Sequence, residues 1–291
     1  MKTCIECIPC IINQAIIALD LSNCTNEIKK RVVTELIKNF ENIDYNLSPS
    51  ENTDIVYKLV SEYTGTVDPY YSVKKEHNRK ALTLYSELER ILNLGKDSLC
   101  MAAKIAIAGN VIDLGTSYKH SDQMDYQRIL KNITELSLAI NDYSDFRKRL
   151  ETSKKVLYMA DNAGEIVFDK IFINELVRNG KYVTVSVKSG PIINDANMDD
   201  AIEARIDKIA CLTETGHNKI GNCLKFMSNE FFKIFKDSDL IICKGQGNFE
   251  TLDEVKAPIY FLLKAKCKCV AKELGVNYLD IVFAKSRSFQ S

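Results

Sequence analysis

Apolar residues recur along this chain in two rhythms, and the change between them falls near residue 150. In the first half the spacing is helical: Ile28, Val32, Leu36, Ile37 and Phe40 share one face, as do Leu82, Tyr85, Leu88, Ile91 and Leu92. Helices are predicted over 5–20, 26–42, 52–64, 72–94, 97–109 and 124–141, with polar turns near 43–52 and 65–71. In the second half short β-rich runs stand at 155–160, 182–187, 208–212, 239–243, 258–264 and 279–284, most of them separated by helix-length segments. That alternation predicts βαβ units and a mostly parallel sheet covered on both faces. The expected fold class is α/β: a three-layer α/β/α domain over 151–291, preceded by an all-helical domain over 1–150. No repeat or flexible linker lies between them, so the two parts are expected to pack closely.

Composition narrows the classes of function. Lys plus Arg equals Asp plus Glu, 39 against 39, so no net field draws in nucleic acid or an anionic membrane. The longest apolar runs are too short and interrupted to span a bilayer. The opening MKTCIECIPC lacks a signal-peptide pattern. Ten cysteines without such a signal predict a cytoplasmic, reducing location with free or metal-bound thiols.

In open α/β sheets ligands bind beyond the carboxyl ends of the strands. Three predicted strands end in polar clusters: Asp161-Asn162 after KKVLYMA, Lys188-Ser189-Gly190 leading to Asp195, and KGQGN from Lys244 to Asn248. Asp161, Asn162 and Asp195 offer two carboxylates and an amide carbonyl, the oxygen donors a hard divalent cation takes. The competing reading of each is a helix cap. Glu165 opens a helix, where the macrodipole favours a carboxylate, and it could equally orient a water. In KGQGN, Gly245 and Gly247 let backbone amides approach an anion beside Lys244, although the spacing is not that of a Walker loop. In AIAGNVIDLG, Asn110 and Asp113 follow a helix break and could close the site from the helical half. Cys4, Cys7 and Cys10, spaced three apart, suit zinc or an iron–sulfur cluster if Cys267 or Cys269 adds a ligand, or else are small buried residues. His77, His120 and His217 show no metal-pair spacing.

ADNAGEIVFD, KSGPIINDA and KGQGNFETL, in that order on those strand ends, resemble the damage-control phosphatase family, formerly domain of unknown function 89, in its compact prokaryotic and archaeal branch. The resemblance extends to AGNVIDLG, DPYYSVKKEHN (68–78), the ECIPC beginning and KAKCKCVAKELGV, and so covers nearly the whole chain. It implies a divalent-metal-dependent phosphatase acting on small phosphorylated metabolites, with manganese, cobalt, nickel or magnesium as the ion. By motif position Asp161, Asn162 and Asp195 hold the metal. Glu165, Lys188, Lys244 and Asn248 surround the phosphate, with Gly245, and Asn110 and Asp113 reach in from the helical side. Cys7, Cys10 and Cys267 occupy family-like positions and could hold a second, thiolate-bound metal, while Cys4 and Cys269 look like additions of this sequence.

The expected chemistry has Lys244 and the helix-start amides at Gly164-Glu165 holding phosphoryl oxygens. Water is favoured over Asp161 as the attacking group, because a carboxylate engaged by a cation is a poorer nucleophile. Two rivals stand beside it. One is an S-adenosylmethionine-dependent methyltransferase, which needs a more glycine-rich first loop than DNAGE. The other is a non-enzymatic metal- or thiol-binding module built on the cysteines.

Overall fold

A computed structural model describes residues 1–111, 130 and 133–289. Asp113 and His120 lie outside the described residues. The chain opens with three helices, α1 (Cys7–Leu21), α2 (Asn26–Asn39) and α3 (Pro49–Thr64), packed around Ile11, Leu19, Val32, Leu36, Val56 and Tyr70. Helix α3 begins three residues before its apolar pattern. Ser48 Oγ accepts from Glu51 N at 3.2 Å while Glu51 Oε2 accepts from Ser48 N at 3.0 Å, a reciprocal cap with Pro49 in the first turn. Then follow α4 (Tyr71–Thr83), α5 (Tyr85–Leu92) and α6 (Ser98–Val111). The single helix expected over 72–94 is thus two. At the junction Leu84 N bonds Ala81 O at 3.0 Å and Thr83 Oγ1 bonds Lys80 O at 2.6 Å, a tightened last turn that redirects the chain.

The rest is the sheet and its helices: β1 (Ile140–Asn141), α7 (Tyr143–Thr152), β2 (Lys155–Met159), α8 (Glu165–Arg178), β3 (Tyr182–Val187), α9 (Met198–Glu203), β4 (Cys211–Glu214), α10 (Asn229–Asp237), β5 (Leu240–Lys244), α11 (Gln246–Leu252), β6 (Ile259–Lys264), α12 (Lys268–Leu274) and β7 (Ile281–Lys285). The six expected strands are all present. Of the helix expected over 124–141, residue 130 is helical, 133–139 run as turn and loop, and 140–141 form β1, which Ala139 N and Asp142 N dock on β7 through Ile281 O and Phe283 O, both at 2.8 Å. An open edge strand recruited these residues, and two residues carry no period to read. Helix α7 went unpredicted because only Phe146 and Leu150 of its side chains are buried.

The strand order is β1-β7-β6-β5-β2-β3-β4, with every pair parallel except β6 and β7. Alternation along the buried strands gives the two covered faces. Val156, Tyr158, Leu240 and Ile242 join the cluster under α6 and α8, whereas Leu157, Met159, Ile241 and Cys243 join the cluster under α10 and α11. Helix α6 of the first half packs along α8 of the second, so the helical part is continuous with one outer layer of the sheet. From β2 the chain winds outward through β3 and β4, then returns to lay β5 on the other side of β2. The crevice where the winding reverses therefore opens above the carboxyl ends of β2 and β5.

Candidate active site

Backbone pairing beyond the strands gathers the polar residues. Asp161-Asn162 leaves β2 and forms an antiparallel bridge with Asp195, and Ala196 N donates to Asp161 O at 2.8 Å. The turn that carries Asp195 starts at the end of β3, and Lys188 N donates to Ala196 O at 3.0 Å to close it. Ile193 in that turn has φ +41°, uncommon for a β-branched residue, and its side chain packs against the core of α1–α3. The helical half thus grips the loop of a candidate ligand.

On the β5 side Gly245 has φ +77°, and a Cβ there would stand 1.9 Å from Asp161 Oδ2. The glycine is required by that approach as well as by its backbone. Asn248 joins the two strand ends: its Nδ2 donates to Lys244 O at 2.7 Å and Ala160 O at 3.4 Å.

Asp161, Glu165 and Asp195 are brought together in the crevice, and Asn110 closes it from α6. Asn110 Nδ2 lies 3.1 Å from Asp161 Oδ2 and from both Glu165 oxygens, while its Oδ1 accepts from Lys264 N at 3.0 Å. Asn162 Nδ2 donates to Asp161 Oδ2 at 2.9 Å and Glu165 Oε1 at 2.6 Å, which leaves its carbonyl oxygen as the atom it could offer a cation. Burial pushes the Asp161 carboxyl well above the usual range, and the neighbouring charges of Glu165 and Asp195 add to the effect. Asp195 is pushed up to about 6 by burial, against the pull of Lys188 and Lys74. Carboxylates crowded at a buried point repel one another unless a cation sits between them. The oxygen donors of Asp161, Asn162 and Asp195 therefore fit a hard divalent ion.

The two lysines do different work. Lys188 is buried, 3.7 Å from Asp195 Oδ2, and donates to Gly221 O and to Asn222 Oδ1 at 3.3 Å. Burial lowers its pKa, opposed by Asp195 and Asp161. Lys244 is fully buried behind the carboxylates, donates to Asp169 Oδ1 at 2.5 Å and Ala106 O at 2.9 Å, and stands 3.5 Å from Glu165 Oε2. Its ammonium is thus committed to protein acceptors. The Gly164 amide, expected to face phosphate, likewise donates to Asn78 Oδ1 at 2.6 Å.

Asn78, Asp169 and Asn222 escaped the sequence reading. Asn78 Nδ2 also reaches Asp200 Oδ1 at 2.9 Å and Glu203 Oε2 at 3.1 Å, which locks α4 to the start of α8 and to α9. It lies inside DPYYSVKKEHN, so only its role was hidden. Asp169 stands one turn after Glu165, and that four-residue spacing was the available signal. Asn222 Nδ2 donates to Asn248 Oδ1 at 2.5 Å from a loop with no pattern of its own. As for the thiols, the structure brings together Cys4, Cys7 and Cys269, within 4.8 Å of one another, rather than the expected Cys7, Cys10 and Cys267. Cys10 lies a turn further along α1 and is exposed.

Residues 3–282 match the model of the damage-control phosphatase ARMT1-like domain. The chain belongs to the damage-control phosphatase family. By that membership it is a phosphatase. It is 33% identical over 281 residues to a damage-control phosphatase of Pyrococcus horikoshii, covering 95% of each chain. It is 36% identical over 229 residues to a damage-control phosphatase of Archaeoglobus fulgidus, covering 78% of this chain and 79% of the relative. A crystal structure of a family protein from Pyrococcus horikoshii superposes with a TM-score of 0.88 at 31% identity, over 99% of this chain and all of that one. Among the described residues no helix is long and apolar enough to cross a membrane.

Proposed function

We propose that this chain is a divalent-metal-dependent phosphatase that hydrolyses phosphate monoesters of small, damaged or surplus metabolites in the cytoplasm. The observation that supports it most is the meeting of Asp161, Glu165 and Asp195, from two strand ends and a helix start, at the crevice between β2 and β5. Asp161, Asn162 and Asp195 are the proposed ligands for manganese, cobalt, nickel or magnesium. Such an ion, when bound, draws charge from a phosphoryl oxygen and from the departing ester oxygen.

The remaining roles follow from where each side chain is held. Lys188, a buried cation beside Asp195, is placed to hold a phosphoryl oxygen, and the loop of Gly221 and Asn222 fixes its direction. Glu165 is the proposed general base: Asn110 and Asn162 grip its oxygens and leave it to take the proton of an attacking water. Lys244 stands behind Glu165, 3.5 Å from its Oε2, and fixes the direction of that carboxylate. Gly245 and Asn248 hold the β5 loop open to Asp161.

Asp161→Ala tests the reading. Hydrolysis of a chromogenic phosphate ester stimulated by divalent metal should vanish, with circular dichroism unchanged. Undiminished turnover in the folded variant removes Asp161 from the chemistry. Rapid-quench labelling separates the two nucleophiles: water leaves the chain unlabelled, and a trapped acyl-phosphate on Asp161 would reverse that assignment.

A further inference from the structure

Away from the crevice, the first residues of the chain meet the start of α12. The Met1 amine donates to Glu250 O at 2.8 Å and Thr3 N to Leu47 O at 2.9 Å, which lays the segment across α11. Cys4 is joined there to Cys269 by a disulfide that spans 265 residues. A third sulfur stands in contact: Cys7 Sγ is 3.4 Å from Cys4 Sγ, and all three sulfurs lie within 4.8 Å of one another. Cys267, two residues before Cys269, caps α12 by accepting from Val270 N at 3.4 Å. The other eight cysteines are free thiols, the exposed Cys10 and Cys211 among them.

A third sulfur packed against a cystine suits thiol–disulfide exchange. It also suits a thiophilic ion, since zinc–sulfur bonds of about 2.3 Å set tetrahedral sulfur neighbours roughly 3.8 Å apart. Cys4-x-x-Cys7 has the spacing of a metal knuckle, and Cys267-x-Cys269 brings two further sulfurs from the other end of the chain.

We propose that Cys4, Cys7 and Cys269, with Cys267 as fourth ligand, form a second metal site, a thiolate clip for zinc or a similar soft divalent ion. The disulfide is the oxidised, metal-free state of that clip. Reduction takes two electrons and two protons, which a dithiol supplies by forming its own disulfide, and the ion then displaces the thiol protons. The clip also bears on the candidate active-site loop. Gln246 Nε2 reaches Cys267 Sγ at 3.6 Å and Glu250 Oε1 at 2.9 Å, and Gln246 follows Gly245 directly.

The full chain, reduced with a phosphine under argon and desalted, should be titrated with cobalt and then zinc. One equivalent of cobalt should give thiolate-to-metal charge-transfer absorption, and one of zinc should erase it. Asp161→Ala should keep that band, which separates this site from the oxygen-ligand one. Cys7→Ser and Cys269→Ser should each weaken zinc binding at least tenfold. For any serine variant that fails to fold, alkylation of the parent chain read by mass spectrometry gives the same answer. Zinc should protect Cys4, Cys7, Cys267 and Cys269 while Cys10 and Cys211 are labelled. Absence of the band, or labelling of those four unaffected by zinc, overturns the proposal.

Discussion

Alanine in place of Gly245 would put a methyl carbon 1.9 Å from Asp161 Oδ2 on a backbone at φ +77°. Either the carboxylate or the loop must move, and a displacement of about 1 Å at a reacting centre costs on the order of 100-fold in rate. Gly245→Ala should therefore lose about that factor in kcat/KM, read with a chromogenic ester under saturating metal. His217 makes a different point. It is buried beside Lys188 and Lys219, and burial first, then those two charges, lower its pKa to about 3. Below an ordinary value of about 6.5 the unfolded chain takes up a proton that the folded chain refuses until about pH 3, so stability falls with pH across that window. His217→Gln should lose less stability between pH 7 and pH 4 than the parent does, measured by denaturant unfolding at both pH values. An equal loss would show that this imidazole is not held neutral by the fold. At this scale the sequence revealed donors but not their commitments. Lys244 reads as a phosphate ligand because it follows an apolar strand, yet its ammonium faces Asp169 and Ala106, which only the packing of α6 and α8 could place there.

Helices supply more of the site than their own sequences suggest. Asn78 on α4 accepts from the Gly164 amide and donates to Asp200, so Asn78→Ala leaves a buried N–H at the start of α8 without its acceptor. An unsatisfied group of this kind costs about 1–3 kcal/mol. The loss should be measured by chemical denaturation, with turnover falling as well because α8 carries Glu165. Lys244→Met should be harsher. It strands Asp169, whose side chain is fully buried, and breaking a buried pair costs about 3–5 kcal/mol. Combining Lys244→Met with Asp169→Leu should recover much of that stability but not the activity, which distinguishes the pair's structural part from its effect on Glu165. Element boundaries were legible where one force dominated. The β2, β5 and β6 strands are buried on both faces and read as continuous apolar runs. By contrast β1 exists because β7 offers it an edge, and α7 buries too few side chains to leave a period.

Across the whole molecule the α6–α8 pairing joins the helical half to the sheet, and the Asp195 turn is anchored by Ile193 in the core of the first three helices. We propose that 1–150 and 151–291, distinct in sequence rhythm, unfold as one unit. Far-ultraviolet circular dichroism and the protection of buried Cys243 from thiol reagents should then report the same denaturant midpoint. Two separated transitions would show two independent domains. The change of rhythm near residue 150 and a close packing of the two parts were both expected from the sequence; the proposed interdependence needs the contacts themselves. It rests on contacts such as Asn110 with Glu165, whose partners are far apart along the chain.

Those contacts also bear on how the enzyme is made. Asn78, Asn110, Asp161 and Asp195 leave the ribosome well before Lys244 and Gly245, and Lys244 is the counter-ion of Asp169 in the middle of α8. Until β5 emerges, α8 carries an acid with no cation to bury beside it, and the crevice has only one wall. A chain that ends before β5 should therefore show weaker hydrogen-exchange protection of α8, since Asp169 lacks Lys244 as its partner. Under the proposed function such a chain should also show no metal-stimulated hydrolysis of a chromogenic ester.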